Sequence, residues 1–254
     1  MEIKKRGTRT LLFDIETMAN LGFVWGKYEQ NVIQYEKEWY MLSFAYKWLG
    51  EKETYVRSLP DFKGYKGGDS TEKKLIGSLW SLFNEADIII AHNGNSFDIK
   101  KANAKFIEHG FAPPSPYKQI DTKLVARKYF NFNSNKLDDL AKILGLGRKI
   151  DTGGFDLWLG CHTGDMKSWK KMCIYNKHDV VLLEEVYLKM RSWMVNHPHV
   201  GTLSDEKESC PNCGKHALNR RGYAIRGNAT RVRRLQCCSC GAWTQQPIKK
   251  GELD

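Results

Sequence analysis

No apolar run in the 254-residue chain approaches the roughly 20 residues that span a bilayer, which sets an ordinary membrane-spanning helix aside. The opening stretch, MEIKKRGTRT, carries charge where a secretory signal has its apolar segment. A cytoplasmic protein with no membrane partner is therefore expected. No internal repeat is visible, so repeat architectures are set aside as well. Acid is in deficit: 40 Lys and Arg face 29 Asp and Glu, a net charge of +11 that suits a polyanionic partner, nucleic acid first. Cysteine is scarce before residue 205, where only Cys161 and Cys173 occur, and both read as small buried thiols. The other five of the seven crowd into residues 210–240, and paired cysteines in a cytosolic chain point to metal rather than to disulfides.

What is present is a folded chain. A hydrophobic content of 41% with eight Trp is enough for one sizeable core and a small appendage. Residues 8–16 read as a strand, and 39–48 and 53–58 as two more joined by the tight turn LGEK into a hairpin. Leu75, Ile76, Leu79, Trp80 and Phe83 recur at helical spacing, which predicts a helix over 72–84 capped by Ser70 or Thr71. DIIIAH (87–92) is a short continuous apolar run, as in a parallel strand covered on both faces. A helix over 97–109, a strand at 117–121 and a helix near 122–130 follow. SNKLDDLAKILGLG (134–147) reads as a helix capped by Ser134 or Asn135 and stopped by Gly145 or Gly147. Residues 149–165 read as an irregular loop, 166–195 as a long helix and 196–209 as a polar linker. The order predicts an α/β domain with a mixed five-stranded sheet, antiparallel in its first three strands and parallel thereafter, whose sites collect at strand ends.

The acidic residues raise the functional question. Asp14 and Glu16, at the end of LLFDIET, are two apart on a strand and point to the same face. Burying either without a partner costs roughly several kcal/mol, so a strand that simply ends at the surface competes with one that delivers two ligands to a cation. Asp98 stands in the first turn of a helix, where it could also be a plain cap. Tyr175 and Asp179, in YNKHDVVLLEEV, are four apart on one helix face. An ordinary solvated stripe fits badly there, because Ile174, Val180, Val181, Leu182 and Leu183 make the stretch read as buried. Four carboxylates from three segments form a hard oxygen set of the kind that selects Mg²⁺ or Mn²⁺. Two such ions about 3.5–4 Å apart activate a water and stabilise the leaving oxygen of an in-line phosphoryl displacement.

FDIET, HNGNSFDI and YNKHD, in this order, resemble the three exonuclease motifs of the DEDD family of 3′→5′ exonucleases. QIDTKLVARKYF and NKLDDLAKILGLGRK resemble further segments of family B polymerase proofreading domains and their stand-alone relatives, so the similarity spans roughly residues 8–195. It implies the ribonuclease-H-like fold. Members with a His five residues before the last Asp differ from this chain, which has Ile174 there. Tyr175, four before Asp179, marks resemblance to the Tyr subtype, and His178 lies about 100° around the helix. The resemblance implies two Mg²⁺ or Mn²⁺ ions, with Asp14 bridging both, Glu16 and Asp179 on the first, and Asp98 on the second. It implies that Tyr175 orients the attacking water, and that Asn93 and Phe97 contact the terminal nucleotide. Phe97 is equally readable as core; Asp121, which ends a strand and could approach the site, reads as structural, and Asp138 and Asp139 read as helix surface.

The tail carries CPNCGKH (210–216) and CCSCGAW (237–243), two C-x-x-C-G knuckles with the spacing of a Cys₄ zinc ribbon. Cys210, Cys213, Cys237 and Cys240 are the expected ligands of one structural Zn²⁺. Cys238 is expected to point away, and His216 is a spare. Two strands turning at RGNAT would display Arg220, Arg221, Arg226, Arg231, Arg233 and Arg234 beside Tyr223, a set suited to phosphate contact and base stacking. Docking to protein is the alternative use of this ribbon.

The expected organisation is thus a nuclease domain over 1–196, a linker over 197–209 and a ribbon over 210–254. The expected activity is a metal-dependent 3′→5′ exonuclease on DNA, acting on a single-stranded 3′ end in replication, proofreading or repair. Without a polymerase domain of its own, it would act beside a separate DNA polymerase or replication factor. Stand-alone relatives occur in bacteriophages, which would place it in the bacterial host cytoplasm. An exoribonuclease or structure-specific nuclease, and a catalytically silent nucleic-acid-binding protein, are the competing readings.

Overall fold

Leu11, Leu12 and Phe13 are all fully buried, because strand β1 (Thr10–Thr17) has a core on each face. The computed structural model describes residues 7–28, 31–202, 206 and 208–248. The outer parts of the expected domain, linker and ribbon (1–6, 203–205, 207 and 249–254) lie outside the described residues. Leu11, Phe13 and Ile15 enter one core and Leu12 the other. The period of two then puts Asp14 and Glu16 on the Leu12 face, where that core ends.

The reading of the sequence assigns no element between 17 and 38. The structure has a separate hairpin there, β2 (Leu21–Phe23) with β3 (Gln34–Lys37), whose exposed faces leave no burial pattern to read. Strands β4 (Met41–Trp48) and β5 (Tyr55–Ser58) form the expected antiparallel hairpin. Helix α1 (Glu72–Glu85) starts after Thr71, whose hydroxyl donates to the Leu59 carbonyl at 2.7 Å instead of capping the helix. Then come β6 (Ile88–Ala91), α2 (Asp98–Glu108), β7 (Lys118–Asp121) and α3 (Thr122–Tyr129). The sheet order is β5-β4-β1-β6-β7. Strands β4 and β5 complete the antiparallel half with β1, and β6 and β7 run parallel to it. This is the mixed five-stranded α/β arrangement that the order of elements predicts, with helices on both faces.

Helix α4 (Leu137–Ile143) is shorter than the expected 134–147, because Ser134 spends its hydroxyl on Asp139 before the helix begins. The expected loop at 149–165 contains a helix, α5 (Asp156–Thr163). Gly153 and Gly154, both at positive φ, precede it, and Gly164 ends it in the left-handed region that glycine adopts freely. Glycine-rich flanks on so short a helix hid it from the pattern.

Helix α6 (Met166–Met190) serves both cores: Trp169, Met172 and Tyr175 pack in the first, and Val180 to Met190 in the second. Ile174, read as buried, is 52% exposed. Beyond α6 the tail forms an antiparallel sheet of β8 (Leu218–Arg226), β9 (Thr230–Cys237) and β10 (Trp243–Pro247), in the order β10-β9-β8. The first two turn at 227–229 as RGNAT predicts, and β10 is a third strand.

The tail is docked on the domain. The Asn212 amide donates to the carbonyls of Arg191 (2.7 Å) and Met194 (3.1 Å), just past the end of α6. The Val200 N–H donates to Pro211, and the Thr8 hydroxyl donates to Val200. No helix among the described residues is long and apolar enough to cross a membrane.

Candidate active site

Three elements converge at the C-terminal end of β1. A carboxylate oxygen from each of Asp14, Glu16 and Asp179 lies within 4.8 Å of the other two. Asp98, at the start of α2, stands beside them outside that tight group, with one oxygen accepting from the Ile15 N–H at 3.3 Å. Burial pushes all four carboxyls up; repulsion by the neighbouring acids adds to it at Asp14 and Glu16, while Lys149 opposes it at all four. Glu16 reaches about 8 and Asp98 about 6; Asp14 is raised well above the ordinary range and Asp179 is raised too. Uncompensated negative charge of this density calls for a cation.

The protein supplies one of its own. The Lys149 ammonium lies 2.5 Å from an Asp179 oxygen and 3.2 Å from the Tyr175 hydroxyl. Burial opposes its charge, but Asp179, Tyr175 and Asp14 outweigh burial and hold it protonated. Lys149 stands in the segment read as an irregular loop, so no periodicity marks it. Its backbone N–H donates to Asp138 at 2.7 Å, and His178 hydrogen-bonds the Arg148 carbonyl at 2.8 Å. Asp138 and His178 thus act as anchors for the lysine. One lysine still leaves the other Asp179 oxygen buried with no hydrogen-bond partner. The all-oxygen donor set and this orphaned oxygen fit a hard divalent ion.

Tyr175 is nearly buried and faces this cluster, with its ring 6.2 Å from that of Trp158. Trp158 also hydrogen-bonds Glu16, a contact supplied by the unforeseen helix α5. Burial first, and the Asp179 charge second, push the Tyr175 phenol up, so it stays protonated.

Asn93 is the only non-glycine among the described residues with positive φ (66°), and Asp121 holds it there. The Asp121 carboxylate accepts from the N–H groups of Asn93 and Asn95 while capping α3 through Lys123 and Leu124. That makes Asp121 the staple of the turn that leads into Asp98. Phe97 is 40% exposed beside the site and is no core residue. Thr17 to Asn20, Trp39, Lys101, Phe155 and Trp158 line an open recess of about 530 Å³ next to it.

In the tail, Cys210, Cys213, Cys237 and Cys240 bring their sulfurs within 4.8 Å of one another. Sulfurs of Cys210 and Cys240 are 3.6 Å apart, and those of Cys213 and Cys237 are 3.7 Å apart. Zn–S bonds of about 2.3 Å put tetrahedral sulfurs about 3.8 Å apart, so the cluster is compatible with a zinc ribbon. Cys238 is exposed, and His216 turns to Glu206. Arg220, Arg221, Arg226, Arg231 and Arg234 are exposed, with the Arg231 guanidinium stacked 3.7 Å over the Tyr223 ring. Arg233 corrects the expected set: it is 8% exposed, because on β9 it shares the face of Leu235, which lines a cavity with His199 and Pro211.

A sheet of this order with acidic residues at the end of its central strand defines an RNase H-like α/β protein. The model of the RNase_H_2 family, of the RNase H superfamily, matches residues 11–191, and the chain belongs to that family. The fold and its acidic site are those of a metal-dependent nuclease, whose partner is nucleic acid. No curated protein matches the chain significantly.

Proposed function

We propose that the protein is a 3′→5′ exonuclease that shortens single-stranded 3′ ends of DNA and works beside a separate polymerase or replication factor. The observation that carries this reading is the meeting of Asp14, Glu16 and Asp179 within 4.8 Å, next to the Tyr175 hydroxyl. Asp14, Glu16, Asp98 and Asp179 would hold two Mg²⁺ or Mn²⁺ ions, which when bound activate a water and stabilise the leaving oxygen.

The chain's own residues do the rest. Tyr175 accepts a hydrogen bond from Lys149 and turns its own O–H toward Asp179, where it is placed to orient the attacking water. A phenol held protonated cannot be the base, so its part is orientation. Lys149 stays charged and steadies the negative phosphate close to Asp179.

The recess beside Glu16 suits an unpaired base. The Lys101 ammonium sits 3.6 Å over the Trp39 ring and 5.1 Å from that of Phe97, which combines a stacking face with a phosphate contact. Asn93, on its positive-φ turn, accepts from the Lys123 ammonium at 3.2 Å, which adds a second cation for the terminal nucleotide. The arginines of β8 and β9 would extend the contact to more distant phosphates through a ribbon held by one Zn²⁺.

The test is digestion of 5′-labelled single-stranded DNA and RNA in Mg²⁺, Mn²⁺ and EDTA. A metal-dependent ladder on DNA is the expected result. A ladder on RNA alone would replace the substrate, and no ladder on either would leave a nucleic-acid-binding protein.

A further inference from the structure

Asn176 is fully buried, sits between Tyr175 and Asp179 in sequence, and has no part in the site as described so far. One of its amide contacts runs to the Asp14 carboxylate, at 2.8 Å from Oδ2, and another to the Asp14 backbone oxygen at 3.3 Å. The backbone oxygen only accepts hydrogen bonds, as does the carboxylate in its ionised, metal-binding form, so the nitrogen of the amide must face β1. Its oxygen then faces β4, where the Ser43 hydroxyl donates to it at 2.9 Å. Ser43 is itself fully buried, and it is paired with Glu16 across the β1–β4 register. Directly opposed residues of an antiparallel pair share a face, so Ser43 and Glu16 belong to the same side of the sheet. A hydroxyl in the otherwise apolar run from Met41 to Ala45 thus has a partner, and so does every polar group of the amide.

We infer that Asn176, oriented by Ser43, is a positioning residue that fixes the Asp14 carboxylate for metal binding. This rests on the metal-site reading given above and adds two residues to it. The amide occupies one oxygen of Asp14 and, through the backbone contact, ties α6 to β1 at the same residue. That contact restrains the Asp14 side chain while one of its oxygens stays within 4.8 Å of oxygens of Glu16 and Asp179. The single hydroxyl on β4 prevents the amide from flipping. Three elements that each bring a ligand or its neighbour are thereby locked by one chain of hydrogen bonds, and loss of the outer partners of a metal ligand typically weakens metal binding about 10–100-fold.

The experiment is Mn²⁺ binding to the full-length protein, measured by electron paramagnetic resonance without substrate and accompanied by thermal melting. Asn176→Leu, of similar volume, is expected to weaken Mn²⁺ binding by about 10–100-fold, with turnover partly restored at high Mn²⁺. Ser43→Ala removes one hydroxyl from a strand interior and keeps the fold secure. It is expected to weaken binding by roughly two- to tenfold, as for one hydrogen bond. Leu140→Ala, in the core beneath α4, lowers the melting temperature and serves as the control for general destabilisation; it should leave Mn²⁺ affinity in place. Unchanged affinity in Ser43→Ala and in folded Asn176→Leu would overturn the inference, as would an equal loss in Leu140→Ala. A wild-type protein that binds no Mn²⁺ would instead remove the metal-site reading itself, an outcome separate from either of these.

Discussion

Glu16 shows how burial and function oppose each other in one side chain. Without metal its carboxyl is pushed up to about 8, first by burial and then by the Asp179 charge. A carboxyl whose folded value is raised favours the folded state below its unfolded value, and that contribution is lost as pH rises through the folded one. In EDTA, then, the advantage of Glu16→Gln over wild type should build up between pH 4.5 and about pH 8, so that it is clearly smaller near pH 6 than near pH 9. Melting curves at the two pH values test this, and equal differences at both would contradict it. Asp14→Ala or Asp98→Ala should abolish most cleavage in Mg²⁺, whereas near-normal turnover in either would remove the two-ion assignment. Tyr175→Phe keeps every carboxylate and loses only the orienting hydroxyl. Its turnover should fall on the order of 10²-fold while Mn²⁺ binding persists, as expected when a reactant is merely misplaced.

The elements decide how these residues are held. The segment carrying Lys149 has no regular structure and is pinned from both sides, by Asp138 of α4 and His178 of α6. Its ammonium partly neutralises the cluster. Lys149→Met should therefore lower the metal-free melting temperature more at pH 8 than at pH 6, and Mg²⁺ should narrow the gap; a loss independent of pH would mean that the lysine only packs. The turn after β6 behaves differently with acid. His92 bridges the Thr122 hydroxyl and the Asn135 carbonyl, and burial lowers it to about 4. His197, bonded to the Tyr187 hydroxyl beyond α6, is lowered to about 4 for the same reason. A depressed histidine favours the folded state above its unfolded value and loses that contribution as pH falls through the folded one, here between 6.5 and about 4. Unfolding by acid should accordingly begin below about pH 6, and His197→Phe should shift that onset downward in a denaturant titration.

At the scale of the whole molecule, the ribbon and the acidic site are far apart. Asp179 and Met190 are eleven helical residues apart, about 16 Å at 1.5 Å per residue, and the ribbon docks beyond Met190. Phosphates contacted by the ribbon arginines, as proposed, would lie about five positions from the scissile bond on a strand stacked at the B-form spacing of about 3.4 Å. Removing residues 203–254 should leave the domain folded but less stable, because the Arg191 and Met194 carbonyls lose Asn212. In an Asp14→Ala background, the truncation should weaken binding of long oligonucleotides and flatten its salt dependence by roughly one unit of log–log slope per lost phosphate contact. Binding of strands shorter than about five nucleotides should not change. Identical slopes for long strands would leave the ribbon as a protein-docking module.

Much of this was determined by the sequence alone. The alternation of Leu12, Asp14 and Glu16, the helical spacing of Tyr175 and Asp179 and the two C-x-x-C-G knuckles are local patterns, fixed by the periods of strand and helix and by ligand spacing. The mixed sheet follows from the order of elements. Only the tertiary structure decided the role of Lys149, Asn176, Ser43 and Trp158. None of them lies in a periodic pattern that marks chemistry, and each acquires its part from a neighbour more than 25 residues away in the chain. Helix α5 escaped for a related reason: glycine flanks and a short length give it no signal of its own, and packing against α6 is what makes it a helix. Burial also withdrew Arg233 from the basic face and exposed Ile174, because which side of an element meets a core is settled by what packs there.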